Sequence, residues 1–434
     1  MNSAKDFFSS KWGLIFAAAG SAIGLGNIWL FPYRVCEFGG ATFIIPYIIC
    51  LAILGFVAVI GEITIGRLTK SGPVNAFKKA LELTGKNGRF GEFFGWLCVL
   101  VSLVQAIGYI LVVSWVIRFV IGAGNGSAFY VTDSVQYFKT MNDTNVLLWI
   151  VISIILTGLA MAWGIEKGIE KLCKFMIPAV IILLLILAVR VFFIPNSIDG
   201  YKYLFTPKWN CLFNTTTWMA ALGQVFYSLS IRGSTMIVYG SYAQKTQDII
   251  SSAKHIVILD TIASIIAALL IIPAVFAFGK DLNSGPSLLF ITMPEIFKSI
   301  PLGKILMFIF FFAIFLAAIT SLIGMLEVVI EVLQNKFKIV RWLAVLLVCV
   351  TIILTCKCFV VGNIKKIIDI LSLHLIPFCA LGSGIFVFWI VPKYIISQEI
   401  QIGCSSKSFS KFIILIGRYI LCGIIIIIYI MHLD

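Results

Sequence analysis

The chain has 434 residues, 61% of them apolar and 12% charged, with a net charge of +14. A soluble domain is about half apolar and about a quarter charged, and a single core stops growing beyond roughly 250–300 residues, so this composition excludes an ordinary soluble protein. The positive balance does not mark a nucleic-acid binder, because no basic patch with interleaved aromatics sits on a soluble module. Eleven cysteines, among them Cys50, Cys98, Cys349, Cys379 and Cys422, lie scattered through apolar runs. Their odd count and the lack of a CxxC pair argue against a disulfide framework, and they read as small hydrophobes.

The segment Met1 to Lys11 is short and polar, without a small-residue cleavage site after it, and reads as a mature cytoplasmic end rather than a signal peptide. Apolar runs long enough to cross a bilayer follow at about 13–34, 42–66, 92–120, 146–163, 170–194, 215–240, 255–279, 303–333, 341–358, 368–392 and 411–431. The spacing predicts an all-α membrane protein of eleven transmembrane helices. Placing the N-terminus inside puts nineteen lysines and arginines in the inner connections and ten in the outer ones. Basic residues favour the cytoplasmic side, so a cytoplasmic N-terminus, an external C-terminus at His432-Leu433-Asp434 and a plasma (inner) membrane location are expected.

Two spans do not read as simple helices. The first holds Gly20-Ser21-Ala22-Ile23-Gly24-Leu25-Gly26-Asn27 before Phe31-Pro32, poor material for an unbroken helix. Close helix packing through small residues is the other reading of those glycines. The sixth holds Tyr227-Ser228-Leu229-Ser230-Ile231-Arg232-Gly233-Ser234, where an arginine near mid-membrane needs a cavity or a partner. A break at either place frees backbone groups to hold ions and substrate. Interrupted spans at corresponding positions of two halves point to a transporter binding site. Spans one and six each begin a group of five, which fits one domain over 1–434: a repeat at about 11–195, an inverted repeat at about 213–393, and an extra helix at about 411–431.

The stretch Ala19 to Tyr33, with Glu37, Gly39-Gly40 and Pro46-Tyr47, resembles the first-helix signature of the neurotransmitter:sodium symporter family. Further matches are Glu62 and Gly66-Arg67, the run 223–230, Tyr239 to Tyr242, Asp260-Thr261, and Ala317 to Ser321 with Glu327. The likeness is collinear over nearly the whole chain and is closest to the bacterial leucine-transporter-like branch with eleven spans. It implies the leucine-transporter fold, sodium as coupling ion (one or two ions), an amino acid as the small-molecule substrate and the lipid bilayer as surroundings. A homodimer stays open.

The resemblance also implies roles. The first sodium site would use the Ala22 carbonyl, Asn27, Ser228 and Asp260, with Tyr47, Gln224 and Ser321 nearby. Asp260 would supply the fixed negative charge that chloride supplies in some members, although a structural role is the alternative. The second site would use carbonyls of Gly20, Ile23 and Ala317 with the hydroxyls of Thr320 and Ser321. Sodium prefers such hard oxygens, while a hydroxyl that bonds back to its own helix is the bland reading. The amides of Leu25 and Gly26, beside Gly24 at the helix break, together with Tyr109 would receive a carboxylate. Carbonyls of Ala22, Tyr227 and Ser228 and the Ser230 hydroxyl would receive an ammonium group. The side-chain pocket would involve Ser21, Gln105, Gly233, Leu322 and Met325, with open space at Gly233 for a larger or partly polar side chain.

The gates depart from the family pattern. Leu30 stands where the outer-gate arginine belongs, opposite Asp369. Arg34, one turn on, and Arg232, at a position normally glycine, are each candidates to pair with Asp369; Arg232 is also a candidate to bind an anionic group on the substrate. The inner gate pairs Lys5 with Asn335 near Tyr242, a weaker latch than an Arg–Asp ion pair, so a readily opened cytoplasmic side is expected. The reading is sodium-coupled amino-acid import by alternating access, without a chloride requirement. A non-transporting amino-acid receptor on the same scaffold, or a carrier of an anionic amino acid or other amine, is the alternative. An intramembrane enzyme is disfavoured, since His255, His374 and His432 form no metal motif.

Overall fold

The computed structural model describes residues 7–143, 145–280, 288–359, 374–403 and 407–431, and among these there is helix but no strand. Each of the eleven expected spans carries helix: α1a Lys11–Ala22 with α1b Gly26–Glu37, α2 Ala41–Thr69, α3 Arg89–Asn125, α4 Val146–Ala162 and α5 Ile165–Phe192. The second group is α6a Thr215–Ser228 with α6b Thr235–Ser241, α7 Ile249–Ala277, α8 Gly303–Asn335, α9 Arg341–Phe359 and α10 Ile376–Ile390. Helix α11, Phe409–Ile427, follows. Six of these (α2, α3, α5, α7, α8 and α11) are long and apolar enough to cross a membrane unaided. The start of the tenth expected span and the extreme C-terminus lie outside the described residues.

The outside of the bundle is apolar and the inside carries the polar groups, the inverse of a soluble protein. Ile45, Ile48, Ile49 and Ile53 of α2 and Ile182, Leu185, Ile186 and Val189 of α5 are exposed, a belt suited to lipid. Asn27, Gln224, Ser228, Asp260, Thr320 and Glu327 are buried.

Helix α1a sits at the centre, packed on α5, α7 and α8. Its run Ala17 to Ala22 is entirely buried, and small side chains let backbones approach there. Contact between α2 and α6b is closer still. A Cβ on Gly66 would lie 2.0 Å from the Ile237 carbonyl oxygen, and one on Gly240 2.4 Å from that of Ile63. Overpacking of this kind costs about 1–3 kcal/mol, so Gly66→Ala is expected to lower the thermal midpoint of the purified protein by several degrees. An unchanged midpoint contradicts this packing.

Candidate sodium and substrate site

Helices α1 and α6 are both broken at the middle of the bundle. The two halves of α1 meet at 53°, and α1a ends where Ile23 turns extended, with ψ 105°. In α6 the helix stops at Ser228 and resumes at Thr235. Ser230, in that gap, holds a left-handed φ of +54°, a conformation that costs a non-glycine residue about 1–3 kcal/mol and persists only where neighbours enforce it. Its hydroxyl donates to the Ser21 carbonyl at 3.0 Å, tying one break to the other.

Between the breaks lies a small cavity bounded by Ser21, Ala22, Gly24, Leu25 and Gly26 of α1, Gln105 and Tyr109 of α3, and Tyr227, Ser230 and Arg232 of α6. Ser321 and Met325 of α8 complete it, and the room between these side chains is about 10 Å³, one water's worth. Most of the expected substrate residues therefore converge. The Leu25 amide donates to the Tyr109 hydroxyl at 3.3 Å. That amide precedes α1b, whose Asn27 and Ile28 N–H groups turn back to the Gly24 carbonyl at 3.2 Å and whose N-terminal end carries the positive end of the helix dipole. A carboxylate placed there meets both donors.

Beside the cavity, oxygens crowd a single amide group. Asn27 Nδ2 lies 3.1 Å from Ser228 Oγ, 2.9 Å from Ser264 Oγ, and 2.7 Å and 3.2 Å from the carboxylate and carbonyl oxygens of Asp260. An amide nitrogen has two hydrogens to give, so acceptors outnumber donors. Ser228 adds a 2.6 Å bond to Asp260 Oδ1, and the Tyr47 hydroxyl reaches Oδ2 at 3.5 Å. An oxygen-rich, carboxylate-bearing cluster of this kind suits a hard cation. Gln224 turns away from it, donating to the Gly26 carbonyl at 2.9 Å. Ser264 escaped the sequence reading, although its place one turn after Asp260 was a usable signal.

A second oxygen cluster joins α1a to α8. Ser321 Oγ lies 3.2 Å from the carbonyl oxygens of both Gly20 and Ile23. Thr320 bonds back to its own helix, to Ala317 O at 3.0 Å and Leu316 O at 3.2 Å. Gly20 packs against it, since a Cβ there would sit 3.1 Å from the Thr320 Cβ. All five residues expected to hold a second sodium are brought together.

One expectation changes. Gly233 does not face the cavity and has no open space: its φ is +68° and a Cβ would lie 3.1 Å from Cys98 Sγ and 3.2 Å from Ser383 Cβ. Its N–H is held by Glu62 Oε1 at 2.7 Å, which fixes the break instead of shaping a pocket. Ser228 is not among the residues that bound the cavity, and its hydroxyl bonds Asp260, the partner expected for it in the first sodium site. Arg34 donates to the Ala220 carbonyl at 2.5 Å, so it braces α1b against α6a. Arg232 reaches into the cavity and donates to Gln105 Oε1; Asp369, the gate partner considered for both arginines, lies outside the described residues.

At the end of the bundle that carries the N-terminus, Lys5 also lies outside the described residues, and Asn335 donates back to Glu331 within α8. Other groups also meet at this end. Phe8 is buried edge-on against Tyr239 and Tyr242, and its N–H donates to the Tyr242 carbonyl at 3.0 Å. Ser9 and Ser10 donate to the Glu170 carboxylate at 2.7–3.0 Å, which Lys174 also pairs at 2.6 Å. Tyr242 donates to Glu327 at 2.9 Å, beside the Arg341–Glu327 ion pair at 2.8 Å.

The model of the sodium:neurotransmitter symporter family matches residues 5–125 and 123–434. The chain belongs to that family. It is 33% identical over 351 residues to an uncharacterised sodium-dependent transporter of Bacillus subtilis (strain 168), covering 79% of this chain and 76% of that one. A sodium-dependent transporter of Methanocaldococcus jannaschii is 29% identical over 416 residues, covering 89% and 82%. Among solved structures, MhsT in complex with L-phenylalanine superposes with a TM-score of 0.88 at 29% identity, covering 98% of this chain and 99% of that one. The chain therefore has the leucine-transporter fold with broken helices 1 and 6, and it is a sodium-dependent transporter, not an enzyme.

Proposed function

We propose that the protein imports an amino acid by alternating access, coupled to sodium and independent of chloride, across a plasma (inner) membrane with its N-terminus cytoplasmic. The observation that carries this reading is the set of oxygens around Asn27 Nδ2, because it includes the buried Asp260 carboxylate. A fixed carboxylate balances a sodium ion without help from a free anion. The basic-residue asymmetry along the sequence supports the orientation, and the amino acid bound to MhsT supports the substrate class.

The coupling follows from what each cluster joins. Asn27, Ser228 and Asp260 link α1, α6 and α7, so an ion there holds the two breaks in the shape that presents the Leu25 amide and the Ser230 hydroxyl. Gly20, Ile23 and Ser321 link α1a to α8, so an ion there favours the arrangement in which α1a lies against α8. Helices α1, α2, α6 and α7 then rock against α3, α4, α8 and α9, and sodium biases the equilibrium by binding one arrangement better than the other.

A thermal-shift screen of the purified protein over the amino acids, in sodium or choline and in chloride or gluconate, tests the reading. Stabilisation by at least one amino acid in sodium, equal in chloride and gluconate, is expected. Stabilisation that needs chloride sinks the chloride independence.

A further inference from the structure

The side chain of Arg232 is almost fully buried, at 2% exposure, in the gap between α6a and α6b, and it bounds the same cavity as Ser21, Tyr109 and Ser230. Its Nη1 donates to Gln105 Oε1 on α3. Its Nε and Nη2 have no hydrogen-bond partner among the described residues. These two nitrogens form one edge of the guanidinium plane, the edge that takes a carboxylate through two parallel bonds. Among the described residues Arg232 also makes no ion pair within 4.0 Å. Glu62 is the neighbouring carboxylate: its Oε1 accepts from the Gly233 amide at 2.7 Å, and its Oε2 is buried without a hydrogen-bond partner among the described residues and does not bond Arg232.

Charge bookkeeping around the cavity sharpens the point. Arginine stays protonated in proteins, and a buried, unpaired charge is costly. The α-ammonium and α-carboxylate of an amino acid cancel, and Asp260 stands against a sodium ion. Glu62 is the one further carboxylate beside Arg232 among the described residues, and it reaches the guanidinium with neither a hydrogen bond nor an ion pair within 4.0 Å, so the Nε–Nη2 edge stays open. We propose that Arg232, held in place by Gln105, binds a carboxylate on the substrate's side chain, so that the transported class is acidic amino acids. The inference rests on the sodium-coupled amino-acid reading above and names its substrate. The substrate's α-carboxylate goes to Leu25 and Tyr109, and its side chain runs toward the gap in α6.

The test compares isosteres that differ in charge. Purified full-length protein is titrated in sodium with L-glutamate, L-aspartate, L-glutamine, L-asparagine, L-leucine and L-phenylalanine, reading thermal stabilisation. One of the two acids is expected to act at a concentration at least about tenfold below that of its amide. Arg232→Gln is expected to abolish that preference while keeping sodium-dependent stabilisation by a neutral amino acid, and Asp369→Asn to leave the preference intact. Sodium-dependent binding of neutral amino acids only, by the unaltered protein, overturns the acidic assignment and leaves the symport reading standing. Loss of acid preference in Asp369→Asn equal to that in Arg232→Gln assigns the guanidinium to a gate and also overturns it. No sodium-dependent binding of any amino acid overturns both readings. The comparison of acid with amide in the unaltered protein decides the matter even if Arg232→Gln fails to fold.

Discussion

Asp260→Asn is expected to weaken sodium-dependent stabilisation by about a hundredfold or more in sodium concentration, and chloride is expected to restore part of it. The carboxylate is fully buried and bonded by Asn27, Ser228 and Tyr47. A unit charge about 4 Å from a cation contributes roughly 4 kcal/mol at an effective dielectric constant near 20, and each ~1.4 kcal/mol is a factor of ten. The amide keeps one of the two oxygens, so part of the affinity survives. The effect without sodium has the opposite sign: removing a buried carboxylate that no cation balances leaves the protein as stable as before, or more so. A sodium titration of the thermal midpoint, in chloride and in gluconate, reads both directions. An unaltered sodium dependence in the variant would show that Asp260 is a structural residue.

Gly24→Ala is the second large effect, and it acts through space rather than charge. A Cβ at position 24 would lie 2.4 Å from Ser321 Oγ and 2.8 Å from the Tyr109 hydroxyl. One methyl group therefore displaces a ligand of the second oxygen cluster and the hydroxyl that accepts from the Leu25 amide. At about 1–3 kcal/mol for overpacking, substrate affinity and sodium affinity are expected to fall together by roughly 10–100-fold. Gly223→Ala is the control, since the nearest atom to its Cβ is Arg34 Nη1 at an unstrained 3.5 Å. Equal binding by the two variants would mean that the break in α1 does not present the substrate.

What was legible in the sequence was whatever leaves a mark within one span. Gly24, Gly26 and Asn27 inside an apolar run announced the break in α1, and Asp260 inside another announced a charge with a purpose. The hydroxyl–carbonyl cluster of Gly20, Ile23, Thr320 and Ser321 was legible only through the family resemblance, because it joins residues about 300 positions apart. Packing between distant helices left no such mark. Nothing near Gly233 in the chain says that Cys98 and Ser383 close on it. Glu170, at the edge of the fifth span, collects the hydroxyls of Ser9 and Ser10 from the other end of the first repeat, a contact that no local pattern announces. Arg232 was visible as an anomaly, and its direction was not: an arginine side chain reaches far enough for a gate or a pocket, and the fold alone puts its Nη1 on Gln105 beside the cavity.

The most direct measurement is uptake into proteoliposomes under an inward sodium gradient, with the amino acid that sodium makes stabilising. Accumulation above the external concentration, abolished when the gradient is collapsed and unchanged when gluconate replaces chloride, is the expected result. Saturable binding of that amino acid with no gradient-driven accumulation would contradict symport and make the protein a receptor on a transporter's scaffold.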